Sequence, residues 1–131
     1  MNKTLSLLKR SGVFYLATTE ENQPKVRPFG SVAGINGKLY ICTNNTKNCF
    51  RQILANPRIE ISGMIGAEKW FRITGVLKVD SSYEVKKEFL RQSSLDIYKA
   101  DDDFFEVLYF EKGKVDIFYF SGKRESYELY N

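Results

Sequence analysis

Arg27, the run Thr43-Asn44-Asn45-Thr46-Lys47-Asn48, and the pair Trp70 and Arg72 are the side chains of this chain best suited to holding a ligand. The run after Thr43 stands where an extended pattern gives way to a helical one. A helix N-terminus offers unpaired amides and partial positive charge, which attract a phosphate. Lys47 is expected in the first helical turn, where its charge opposes the dipole at a cost of about 0.3–1 kcal/mol. A bound anion would relieve that conflict, and the Thr43 and Thr46 hydroxyls could donate to the same oxygens. The segment is equally consistent with a lysine in water and hydroxyls that cap the helix.

Arg27 stands in Arg27-Pro28-Phe29-Gly30-Ser31. Pro28 interrupts a strand's hydrogen-bond ladder and Gly30 permits a bulge or a close backbone approach. An arginine beside such a break reaches a phosphate with a planar fork of donors; a kinked barrel corner with a surface arginine is the plainer alternative. Trp70 and Arg72 share one strand face and offer flat surfaces suited to a heteroaromatic ring, or a core or interface tryptophan.

The sequence has no histidine. That removes Ser-His-Asp and Cys-His catalysis, His-rich metal sites and an axial haem histidine together. Chemistry must come from carboxylates, Lys, Tyr, a thiol or a borrowed cofactor, and the last needs the fewest protein groups. Cys42 and Cys49 match neither a zinc nor a Cys-x-x-Cys spacing and are expected as small core residues. No Gly-x-Gly-x-x-Gly or P-loop occurs. Three consecutive acids, Asp101 to Asp103, cannot all face one metal and read as a solvated loop.

The elements that would position these groups follow from period and turn signals. Asn2 to Arg10 is predicted as a helix that stops at Gly12. Strands are expected over Val13–Thr18 and Lys25–Val32, with a turn from Glu20 to Gln23. Asn36-Gly37 marks a hairpin between Ala33–Ile35 and Lys38–Ile41. Cys49, Phe50, Ile53 and Leu54 recur at helical spacing, with Asn45 or Thr46 as N-cap and Asn56-Pro57 as the end. Arg58–Ile65 and Trp70–Val79 are strands. Ser81 and Glu84 have capping-box spacing before a third helix. Phe104–Phe110 and Val115–Phe120 are expected as two strands around Gly113, followed by a last one over Ser126–Tyr130. Short antiparallel strands joined by hairpins favour a closed barrel.

A chain of 131 residues with 43% hydrophobic and 15% aromatic residues suits one β-rich domain spanning 1–131. Leu5 to Leu8 is too short for a signal peptide or membrane span, so a cytoplasmic location without membrane attachment is expected. The net charge is +4 and the pI near 9.0. The 20 basic and 16 acidic residues are interleaved, which disfavours a β-barrel gripping single-stranded nucleic acid, the contrasting reading from another class.

Gly12 to Thr18, Gln23-Pro24-Lys25-Val26-Arg27-Pro28-Phe29, Leu39-Tyr40-Ile41-Cys42-Thr43 with Lys47, Asn56-Pro57-Arg58 and Trp70-Phe71-Arg72-Ile73-Thr74-Gly75 occur in an order that resembles the pyridoxamine 5′-phosphate oxidase-like family. The resemblance covers roughly the first eighty residues and weakens after them. It implies a mainly β fold, a six-stranded antiparallel split barrel with peripheral helices, assembled as a homodimer with one FMN at each edge of the interface. Carried over by position, Arg27 and Lys47 with Thr43, Asn44 and Thr46 would bind the FMN phosphate. Pro28 and Phe29 would run along the ribityl chain or isoalloxazine, Trp70 would lie near the ring, and Gln52 is a further candidate. The oxidase itself holds its substrate with a C-terminal Arg-x-His segment that Lys123-Arg124-Glu125-Ser126-Tyr127 does not reproduce. The expected function is therefore an FMN-dependent oxidoreductase acting on another small molecule, with NAD(P)H as a candidate donor and no residue assignable as catalytic acid or base. A binding module for flavin or a deazaflavin without turnover is the alternative.

Overall fold

The computed structural model describes residues 1–130. Among these residues three helices and eight strands follow in the order α1 (Asn2–Ser11), β1 (Phe14–Glu20), β2 (Gln23–Phe29), β3 (Val32–Ile35), β4 (Lys38–Asn44), α2 (Asn48–Ala55), β5 (Arg58–Ile65), β6 (Lys69–Val79), α3 (Tyr83–Ser93), β7 (Phe105–Tyr119) and β8 (Arg124–Glu128).

All strand pairs are antiparallel, in the spatial order β2-β1-β5-β6-β7-β4-β3, with β8 added to β7. The six longest strands run consecutively from β2 to β4, which is the six-stranded path expected of a split barrel; β3 and β8 are short additions. β2 and β3 lie at opposite ends of the path yet are joined in sequence through Gly30 and Ser31 alone. Those two residues bridge the seam of the barrel.

Local chemistry explains most boundaries. Gly12 ends α1 at φ 72°, a conformation open to glycine without steric penalty. Asn36 and Gly37 both have positive φ, as a two-residue hairpin requires. β2 holds Pro24 and Pro28 because it is an edge strand bonded only to β1, so two missing N–H groups leave no ladder unpaired. Its turn is shorter than expected: Glu20 pairs with Gln23, leaving Glu21, at φ 56°, and Asn22 as the loop.

Further boundaries differ from expectation. The strand expected over Lys25–Val32 is β2 and ends at Phe29, Val32 opens β3, and the last strand is Arg124–Glu128 rather than Ser126–Tyr130. The cap of α3 is Ser82, whose hydroxyl accepts from the Val85 N–H, while Ser81 donates to Glu106. The two aromatic strands expected around Gly113 are one strand of fifteen residues. Gly113 is no turn; a Cβ there would lie 3.2 Å from the Leu129 side chain.

The sheet encloses one core and supports another. Phe14, Leu16, Leu39, Ile41, Ile61, Phe71, Ile73, Leu108, Phe110 and Ile117 fill the barrel. The opposite face of β3, β4 and β7 packs Ala33, Ile35, Tyr40, Phe105 and Val107 against Val85 and Phe89 of α3. Both faces of β4 are therefore buried, which holds its C-terminal end, and the start of α2 after it, in a fixed place. Among the described residues no helix is long and apolar enough to cross a membrane.

Candidate functional site

A cavity of about 220 Å³ opens at the seam of the barrel. Its walls come from the end of β2 and the bridge (Arg27, Pro28, Phe29, Gly30, Ser31), from β4 (Cys42, Thr43), from the entry to α2 (Lys47, Cys49), and from the α3–β7 loop (Leu95, Ile97, Tyr98).

Arg27 pairs in register with Leu16 of β1, and its guanidinium donates to the Leu16 carbonyl at 3.1 Å and to Gln52 Oε1 at 2.7 Å. Gln52, on the buried face of α2, accepts at the same oxygen from the Thr18 hydroxyl at 2.6 Å. Its own amide points to Glu20. Gln52 thus stands behind Arg27 and lines no part of the cavity. Among the described residues neither Arg27 nor Lys47 is paired with a carboxylate. Both charges act on the same thiol: burial pushes the Cys49 thiol up, and Arg27 and Lys47 pull it back. Burial raises Cys42 to about 12 against the opposing charge of Lys47. At neutral pH both cysteines are therefore uncharged walls, half-buried and buried, and not nucleophiles.

The entry to α2 differs from the sequence expectation. Lys47 is the N-cap in extended backbone, one residue before the helix, and no side chain caps it. Neither Asn45 nor Thr46 serves as cap. Asn45 donates to the Asp103 carbonyl and to Glu106, and Thr46 folds onto Asn44 Oδ1 through its N–H and its hydroxyl. No acidic side chain lies in the first turn of α2, so the positive end of the helix is left uncompensated by the chain.

Of the residues singled out from sequence, the cavity unites Arg27, Pro28, Phe29, Thr43 and Lys47. Asn44, Thr46 and Gln52 do not line it: Gln52 is buried and bonded to Arg27, Asn44 is bonded to Tyr98, and Thr46 is exposed and bonded to Asn44. The Phe29 ring is turned toward Phe14, with centroids 6.1 Å apart. Trp70 is elsewhere. It stacks on Phe118 at 4.3 Å on the outer face of the sheet, with the Arg72 guanidinium 5.3 Å from its ring and Arg124 over Phe118. Arg72 is also bound to Glu60 at 2.7 Å.

Sequence reading did not identify Leu95, Ile97 and Tyr98, nor the place of the two cysteines on the wall. The loop from Ser94 to Phe104 has no hydrophobic period, and its position depends on distant partners. Lys86 donates to the Asp102 carbonyl, Asn45 to that of Asp103, and Asn44 to the Tyr98 hydroxyl. Of the acidic triplet in this loop, Asp102 accepts from the Lys99 N–H and closes a turn.

The pyridoxamine 5′-phosphate oxidase family profile matches residues 2–116. No curated protein matches. Among solved structures, a NimC/NimA family protein from Clostridium acetobutylicum is 48% identical, with a TM-score of 0.93 over 98% of this chain and 91% of that one. A pyridoxamine 5′-phosphate oxidase-related, FMN-binding protein from Nostoc punctiforme PCC 73102 shares the fold at 15% identity, TM-score 0.72, over 97% of this chain and 88% of its own. A heme-binding protein from Mycobacterium smegmatis does so at 17% identity, TM-score 0.71, over 93% of this chain and 57% of its own. The profile match over most of the length, together with the split-barrel order of the strands, means that this chain belongs to the pyridoxamine 5′-phosphate oxidase family, and the 48% identity places it beside the NimC/NimA proteins within it.

Proposed function

We propose that this protein binds FMN and acts as an oxidoreductase on a small molecule other than pyridoxamine 5′-phosphate. The observation that carries the reading is the cavity at the barrel seam, lined by two cations that have no carboxylate partner among the described residues, beside a helix N-terminus with no acid in its first turn. A phosphate monoester satisfies all three at once. Arg27 and Lys47 would hold the phosphate, Thr43 would donate from the floor, and Gln52 would keep the guanidinium aimed. FMN supplies hydride or electron transfer when bound, chemistry that asks no acid or base of the protein. The cavity walls fit that division of labour, since they carry no carboxylate and no histidine.

At about 220 Å³ the cavity falls short of the ~300–1,000 Å³ typical of small-molecule sites. It has room for a phosphate and part of a ribityl chain, and the flat ring would extend past the seam. A second copy of the chain is proposed to cover it. The outer sheet face exposes Tyr15, Val26 and Met64, and Met64 is in register with Trp70, itself in register with Phe118. These exposed apolar side chains support a contact between two copies, which would be the route by which Trp70 comes near a flavin.

Incubation with FMN followed by removal of free ligand is expected to leave a protein-bound flavin spectrum. The double variant Arg27→Ala, Lys47→Ala is expected to bind FMN about 10- to 100-fold more weakly, the scale of lost charge-assisted hydrogen bonds, and riboflavin nearly unchanged. Protein that stays colourless sinks the reading. Reduction by NADH or NADPH with an added acceptor separates an enzyme from a carrier, and uptake of a deazaflavin in preference to FMN would redirect the cofactor assignment.

A further inference from the structure

The Tyr98 hydroxyl has a hydrogen bond to give, and the structure excludes its one neighbouring partner, Asn44, as the acceptor. Asn44 Oδ1 accepts from the Thr46 backbone N–H at 3.1 Å and from the Thr46 hydroxyl. A backbone N–H only donates, so the oxygen end of the Asn44 amide must face Thr46 and its NH₂ must face away. That NH₂ donates to the Tyr98 oxygen at 2.9 Å. It cannot accept in return, so the phenolic proton has to point to a different partner. Asn44 is the one hydrogen-bond partner of this hydroxyl among the described residues. Tyr98 lines the cavity shared by Arg27 and Lys47.

The ring is held in place independently of any ligand. It stacks on buried Phe105 at 4.7 Å and 19°, with Phe104 at 6.0 Å. The loop that carries it is tied down at Asp102 by Lys86 and at Asp103 by Asn45. A donor so fixed needs no reorganisation when an acceptor arrives.

We propose that Tyr98 is a ligand-contacting residue whose hydroxyl donates to an acceptor oxygen of the anion-bearing molecule gripped by Arg27 and Lys47, with Asn44 and Thr46 as its positioning residues. The inference rests on the phosphate-binding reading above and adds a contact that the sequence motifs do not supply. A ligand with an acceptor opposite Tyr98 is favoured over one with a donor there, because the phenolic proton left free by Asn44 can be given only to an acceptor.

Tyr98→Phe keeps the ring and its stack and removes the hydroxyl, and with it the oxygen that accepts from the Asn44 amide. Its FMN dissociation constant is expected to rise about tenfold, as for a hydrogen bond to a charged or strongly polar acceptor, with a small fall in melting temperature from the lost Asn44 bond. Asn44→Asp provides the second variant. Its carboxylate accepts the phenolic proton, so the single variant binds FMN more weakly and adding Tyr98→Phe to it brings no further loss.

Parallel titrations locate the acceptor. A loss for FMN and inorganic phosphate with riboflavin unchanged puts the oxygen on the phosphate, and a loss shared by FMN and riboflavin puts it on the ribityl chain or ring; either supports the contact. FMN affinity of Tyr98→Phe within about twofold of the parent, or full additivity in the double variant, overturns it. If the parent protein takes up no FMN, the flavin reading fails separately, and the contact is judged on inorganic phosphate by phosphorus NMR line broadening. Equal broadening in parent and Tyr98→Phe, or none in either, then overturns it.

Discussion

Arg27 takes its aim from a side chain that never reaches the cavity. Gln52 is 4% exposed, and its single carbonyl oxygen serves both the Thr18 hydroxyl and the Arg27 guanidinium. Gln52→Leu keeps the volume but leaves two donors without an acceptor. It is expected to lower stability by about 1–3 kcal/mol, read from the urea midpoint, and to weaken FMN binding more than riboflavin binding. A direct ligand role for Gln52 would instead leave stability untouched. The family resemblance alone made Gln52 a candidate ligand contact. Its use as an acceptor toward Arg27 follows from a contact across 25 residues, which no local pattern reveals.

At the scale of elements, β7 shows how the fold departs from simple alternation. Leu108 and Phe110 point into the barrel, and so do Val115 and Ile117, yet the two pairs differ in parity. The change of face occurs where Val76 pairs with Lys112 and Leu77 with Phe110, so that Glu111 is left as the extra residue of a bulge. A reading based on period two therefore breaks this strand at Gly113. Beside the bulge Gly75 has no room for a side chain: a Cβ there would lie 2.6 Å from the Phe110 ring and 2.9 Å from the Lys112 carbonyl. Gly75→Ala is expected to cost about 1–3 kcal/mol through overpacking, again by urea titration. α1 is tied to the sheet differently, by Lys3 to Glu125 at 2.5 Å and Thr4 to Tyr127 at 3.1 Å. The hydrogen bond from Lys3 holds the Glu125 carboxyl at about 2, well below its ordinary 4.5. A carboxyl depressed on folding contributes stability above its unfolded pKa and loses it as pH falls through the folded one. The difference in melting temperature between the parent and Glu125→Gln is therefore expected to be constant near neutrality and to shrink from about pH 4.5 toward pH 2; a pH-independent difference would rule out this ion pair as the anchor of α1.

For the molecule as a whole, the cavity and the apolar outer face of the sheet are two parts of one expectation. The cavity is too small for a complete flavin, and the exposed face around Met64 and the Trp70–Phe118 stack asks for a partner surface. Sedimentation is expected to show twice the monomer mass. Met64→Asp, a charge in the centre of that face, is expected to shift the protein to monomer and to weaken FMN binding in the same variant, although Met64 lies outside the cavity. A monomeric variant that binds FMN as tightly as the parent would separate assembly from cofactor binding and remove the proposed role of Trp70.

Nearest-neighbour chemistry along the chain was legible from the outset. The stop at Gly12, the Asn36-Gly37 hairpin, the limits of β5 and the end of α2 at Asn56 depend on φ preferences and on side chains two to four residues apart. The cationic pair Arg27 and Lys47 was legible for the same reason, since each stands beside a local break in pattern. The third dimension contributed the seam itself, where Gly30 and Ser31 join the two ends of the sheet. It also contributed the loop wall at Leu95, Ile97 and Tyr98, whose place depends on a bond between Asn44 and Tyr98 across 54 residues. Contacts of that span form only when a buried core brings distant segments together, and the energy that selects them is shared among all the residues of that core.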